Sequence, residues 1–158
     1  MSASVTDPER GRERPGEPPV LRAVGRAGGF AAIAAGLGNL AVLGVARAAG
    51  VAMTVRSAAG QADTSVGPIM VIVTTTVSIG IGVLALVVAA SRRRRAWSVL
   101  AWLGLVVGVV SVAMPLGVEA DAATKVALGA MHLLTGAVWF GVLRSLDPTK
   151  GTPVSARA

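Results

Sequence analysis

Cysteine is absent from the 158 residues. Disulfides, thiol redox chemistry and cysteine-ligated metals are therefore excluded, and cysteine usage says nothing of the redox compartment. Charge is scarce: 15% of residues are Asp, Glu, Lys or Arg, where a soluble domain carries about a quarter. Histidine occurs once, as His132, so the chain cannot hold a haem from both faces or build a histidine-rich metal site. No HExxH, GxSxG or Walker A motif is present, and no pair of carboxylates falls inside an apolar stretch. A proton-coupled drug exporter of four spans needs a membrane carboxylate, and every Asp and Glu lies outside the apolar runs. No catalytic residue, cofactor or metal ligand is assigned, and the expectation is a protein that is not an enzyme.

What is present is four long apolar runs, at residues 27–46, 69–90, 96–115 and 123–143, the first three without a charge and the last with only Lys125, near its start. Each holds about 20 residues, roughly 30 Å as helix, which matches the hydrocarbon core of a bilayer. The expected fold is all-α: a four-helix transmembrane bundle over residues 23–146. It lies between a disordered tail at 1–22 and a short tail at 147–158. The first tail (PERGRERPGEPP) is too polar to offset its ordering entropy. Ala46, Arg47 and Ala48 fit a small-x-small cleavage pattern. However, the mixed-charge tail before the first run and the length of that run favour an uncleaved anchor over a signal peptide.

Local signals punctuate the runs. Gly50 can stop the first helix. Val51, Met53 and Val55 alternate with Ala52, Thr54 and Arg56, which allows a short extended piece, and residues 57–67 read as loop. Pro68 suits the first turn of the second helix. Five residues separate the second and third runs, so those helices should be antiparallel neighbours. Asp121 is placed to cap the fourth helix. Lys125, four residues on, stands in the favourable order for an ion pair with it.

Orientation follows from Lys and Arg. Of the 15 basic residues, 12 lie in the N-tail, the middle loop and the C-tail, and only Arg47, Arg56 and Lys125 lie in or next to the other two loops. The positive-inside rule places both termini in the cytoplasm. Phe30, Trp97, Trp139 and Phe140 lie toward that side, as headgroup anchors do, whereas Trp102 sits deeper, as a packing residue does. Arg92, Arg93, Arg94 and Arg95 read as a topology determinant that touches anionic lipid rather than as a nucleic-acid patch.

Polar residues inside a bilayer call for a reason. His132 and Asn39 are the principal ones, with Thr74, Thr75, Thr76, Ser78, Ser111 and Thr135 beside them. For His132 the readings are bundle glue bonded to Asn39 or Ser78, a proton-handling group, or a ligand contact. The serines and threonines are expected to bond their own preceding carbonyls. The polar residues favour the outer half, which suggests a cleft opening outward, rimmed by Glu119, Asp121 and Lys125. Gly28, Ala32, Gly36 and Gly44 in the first run, and Gly104 and Gly108 in the third, form candidate contact stripes.

The segment EADAATKVALGAMHLLTGAV, with an Arg-flanked first span ending in ARAAGVAMTV, resembles an uncharacterised four-pass membrane family of short proteins from high-GC Gram-positive bacteria. The likeness covers residues 22–146 and implies the four-helix fold, with no known activity. It adds Thr124 to Asp121, Lys125 and His132 as positions of interest. The resulting expectation is a structural, accessory or sensing component of the cell membrane, self-associating or bound to another membrane protein. The alternative is a small oligomeric transporter or channel with a polar site around His132 and Asn39.

Overall fold

The structure, a computed structural model, describes residues 19–56, 62–90 and 95–147. Four α-helices follow in sequence: α1 Pro19–Ala48, α2 Pro68–Ala90, α3 Ala96–Val110 and α4 Ala122–Ser145. A 3₁₀ helix, Ser111–Gly117, continues α3. With that continuation, the described residues contain four helices long and apolar enough to cross a membrane, and the fold is the expected all-α bundle.

The ends of the helices follow from single residues. α1 starts at Pro19 rather than near residue 27, because proline fits a first helical turn, whose N–H groups have no partner. Residues 19–22 of the expected disordered tail are thus helical; residues 1–18 and 148–158 of the two tails lie outside the described residues. Gly50, at φ +80°, ends α1 as expected. The Gly50 N–H bonds the Arg47 carbonyl and the Val51 N–H bonds that of Ala46, the paired bonds of a glycine stop. Pro115 has no N–H, and its ring crowds the carbonyl four residues back. That carbonyl belongs to Ser111, where α3 gives way to the tighter helix.

The alternating segment after Gly50 forms β1, Thr54–Val55, which pairs antiparallel with β2, Thr64–Ser65. The expected 57–67 loop therefore contains a strand; residues 57–61 lie outside the described ones. Arg56 and Glu119 exchange both backbone hydrogen bonds, at 2.9 and 3.0 Å. The Arg56 guanidinium also bonds the carboxylates of Asp63 at 2.6 Å and Glu119 at 3.4 Å. The α1–α2 and α3–α4 connections are thereby tied into one lid at the end opposite the termini.

α1 packs along both α2 and α4, and α3 along α4, while α2 and α3 share a smaller contact. Two apolar clusters fill the bundle. Near the termini, Val24, Ala27, Leu86, Trp97, Trp139 and Leu143 pack together. Beneath the lid, Leu43, Met53, Val66, Val71, Ala127 and Met131 do so. Trp97 and Trp139 are therefore core residues and not lipid-facing anchors: the alanines of α1 and α3 leave room for the indoles, and Trp139 Nε1 donates to the Leu100 carbonyl at 2.9 Å. Trp102 reverses the expectation too. It is half exposed and leans on Phe140, with ring centroids 4.7 Å apart.

The face that α1 buries is Val24, Ala27, Ala31, Ala35, Asn39 and Leu43, a helical stripe at three- and four-residue spacing. Of the glycine stripe expected there, Gly28 abuts Val83, but Gly36 and Gly44 have nothing within 4 Å of a built Cβ. The α3 pair does pack closely. A Cβ on Gly108 would meet Gly136 Cα at 2.8 Å, and one on Gly104 would run into the Trp139 ring.

Candidate functional site

Between the two apolar clusters lies a polar layer centred on Asn39, which is 3% exposed. Its Nδ2 donates to Thr75 Oγ1 on α2 and to Thr135 Oγ1 on α4, both at 2.9 Å. One side chain thus joins three helices. Thr135 gives its own proton to the Met131 carbonyl at 2.8 Å, so it faces Asn39 as an acceptor. That fixes the amide with its N–H₂ toward the threonines. Asn39 Oδ1 is left buried with no hydrogen-bond partner. An orphaned buried acceptor costs about 1–3 kcal/mol, so its place in the bundle needs a reason.

Asn39 lines a cavity of about 730 Å³ where α2 and α3 separate. Thr74, Thr75, Ser78, Ser111, His132 and Thr135 supply its other polar side chains, and the remainder of the wall is apolar. Val55, Val66 and Val118 line it at the lid, and Trp139, Gly104 and Leu100 at the end nearer the termini. Thr74 and Ser78 on α2, Leu103 and Val107 on α3 and Met114 on its 3₁₀ continuation are wall residues that are also exposed. The opening therefore lies sideways, between the two helices, where a bilayer places lipid. The cleft rimmed by Glu119, Asp121 and Lys125 that the sequence suggests is corrected on this point: none of the three lines the cavity, whose lid end is lined by valines, and Glu119 is tied to Arg56 in the lid.

The other sequence candidates separate into two groups. His132 is half-buried on the cavity wall. Its expected partners are engaged elsewhere, Asn39 with the two threonines and Ser78 with the Thr74 carbonyl at 2.8 Å. Thr74 likewise bonds the Met70 carbonyl at 2.8 Å, the expected habit of a hydroxyl in a span. Thr75, which sequence placed in the same class, is instead buried and accepts from Asn39.

Asp121, Thr124 and Lys125 stand apart from the cavity, at the start of α4. Asp121 Oδ1 accepts from the Thr124 N–H and Oδ2 from its hydroxyl, each at 2.7 Å. This is the expected cap, and these bonds hold the carboxyl below its ordinary pKa. The expected ion pair with Lys125 does not form: the carboxylate is turned onto Thr124, and Lys125 Nζ reaches the Leu116 carbonyl at 3.4 Å. Arg95 stands exposed just before α3, and Arg92, Arg93 and Arg94 lie outside the described residues. Among the described residues no group of three or more His, Asp or Glu could hold a metal ion.

Four apolar helices around a buried polar layer define a multi-pass membrane protein. Over residues 19–147 the chain matches the model of a family of unknown function, DUF6069, and it belongs to that family. No curated protein and no solved structure matches it.

Proposed function

We propose that the chain is a non-enzymatic component of a bacterial plasma membrane, with both termini in the cytoplasm, acting as a structural, accessory or sensing subunit. The observation that carries this reading is the use made of polar side chains within the spans. Asn39 links α1 to α2 and α4, while Thr74, Ser78 and Thr135 bond carbonyls of their own helices. The Asn39 bonds hold the bundle together and the others satisfy hydroxyls within their own helix, whereas general acid–base chemistry at His132 would call for a second group in reach of a reacting atom. Arg92, Arg93, Arg94 and Arg95 fit an anionic inner leaflet, and the exposed helix faces suit a second copy or another membrane protein.

The test is recovery of the intact protein in mild detergent, with identification of what accompanies it. A stoichiometric membrane-protein partner or a defined homo-oligomer is expected; a lone monomer with no partner overturns the accessory reading. His132→Ala is expected to keep both membrane level and partner. If it folds normally and loses the partner, His132 is more than packing.

The cavity favours a second reading, an oligomeric transporter or channel working around His132 and Asn39. That reading requires a water path, and single cysteines at Ser78 and His132 would then react with a membrane-impermeant maleimide.

A further inference from the structure

We infer that the cavity between α2 and α3 binds a neutral lipophilic alcohol or phenol drawn from the bilayer, whose hydroxyl donates to Asn39 Oδ1. This gives the sensing reading above its ligand class, although it stands on the cavity and not on any protein partner.

Four observations set the chemistry. The volume, about 730 Å³, falls within the range of small-molecule sites. The opening is lateral, beside exposed Ser78 and Val107, so what enters comes from lipid and must be lipophilic. The wall contains no Asp, Glu, Lys or Arg, so a charged group would find no counter-charge, and the ligand is neutral. Asn39 is 3% exposed, its Oδ1 lacks a donor, and its two N–H groups are already committed to Thr75 and Thr135. A ligand that completes this site therefore brings a hydrogen-bond donor.

A hydroxyl does so while leaving its oxygen as an acceptor, and His132 on the same wall has an N–H to offer when neutral. Asn39 lies well inside α1, at a depth between the two apolar clusters. A phospholipid headgroup, charged and held at the interface, does not reach it, whereas a hydroxyl on an apolar skeleton does.

The experiment uses the full chain in phospholipid nanodiscs and a long-chain alcohol bearing a diazirine, with the methyl ether of the same compound as control. Photolabelling is read by mass spectrometry. The alcohol should label α2 and α3 wall peptides saturably and outcompete the ether by about tenfold, the value of one hydrogen bond of ordinary strength. Asn39→Leu should reduce saturable labelling by a similar factor, and Val107→Trp, which fills the mouth from its exposed side, should abolish it.

Val107→Trp and the ether comparison decide the matter even if Asn39→Leu fails to fold. Equal labelling by alcohol and ether, labelling that does not saturate, or labelling untouched by Val107→Trp overturns the proposal. Each of these would leave Oδ1 to a trapped water or to nothing. A missing protein partner would sink the accessory reading and leave this result as it stands.

Discussion

Asn39 makes the clearest residue-scale case, because it satisfies two donors and leaves one acceptor bare. Asn39→Ala removes both interhelical bonds and opens a void, so it should destabilise the bundle by about 1–3 kcal/mol, near the upper end of what polar contacts in membranes contribute. Asn39→Leu fills the same space and also removes the orphaned oxygen, so its cost should be smaller. Thermal unfolding of the two variants in one detergent checks the order; an alanine variant as stable as wild type would mean that the layer contributes nothing. Sequence makes Asn39 a candidate for interhelical glue, since a lone amide in an apolar run has few other uses. It could not name the partners. Thr75 and Thr135 lie 36 and 96 residues away, and only the crossing of α1 with α2 and α4 brings them together.

At the scale of elements, two predictions separate close helix packing from lipid-facing backbone. Gly136→Ala sets a methyl 2.9 Å from Gly108 Cα and 3.1 Å from the Gly104 carbonyl. Neither is a flexible side chain, so α3 and α4 must part, at a cost of about 1–3 kcal/mol. Gly44→Ala meets nothing within 4 Å and should be neutral or stabilising by about 1 kcal/mol through helix propensity. Melting temperatures of the two variants in the same micelle should therefore move in opposite directions or differ plainly in size.

The start of α4 carries a pH prediction. Thr124 lowers the pKa of Asp121, so the cap contributes stability above the carboxyl's unfolded pKa and loses it as pH falls through the lower folded value. Thr124→Val removes the hydroxyl donor and should move the Asp121 titration upward, toward the ordinary carboxylate range. Carbon-detected NMR titration of the carboxyl reads this directly, and an unmoved titration would rule the hydroxyl out as the main cause.

The whole molecule was legible in sequence where information is local: four apolar runs, the Gly50 stop, the Asp121 cap and the alternation that became β1. What escaped depends on which helix faces which. The tryptophans expected at headgroup level were drawn into the core by alanines on neighbouring helices. The Arg56–Glu119 bridge joins residues 63 apart, and with β2 it covers the end that sequence left open.

Orientation is the remaining whole-molecule property, and the charge distribution argues it. Twelve basic residues belong to the termini side and three to the lid side. Those three are tied to local groups: Arg47 to the Val66 carbonyl, Arg56 to Asp63 and Glu119, and Lys125 to the Leu116 carbonyl. A fluorescent reporter fused after Ala158 should thus glow in the cytoplasm, and a phosphatase placed within residues 57–61 should be active outside. Replacing Arg92, Arg93, Arg94 and Arg95 with glutamine still leaves eight basic residues against three, so the same orientation should hold. Adding four lysines within 57–61 to that variant brings the count to about eight against seven and should yield a mixed population, because the bias that selects one topology has nearly vanished. An unmixed population in the doubly altered chain would mean that something other than Lys and Arg sets its direction.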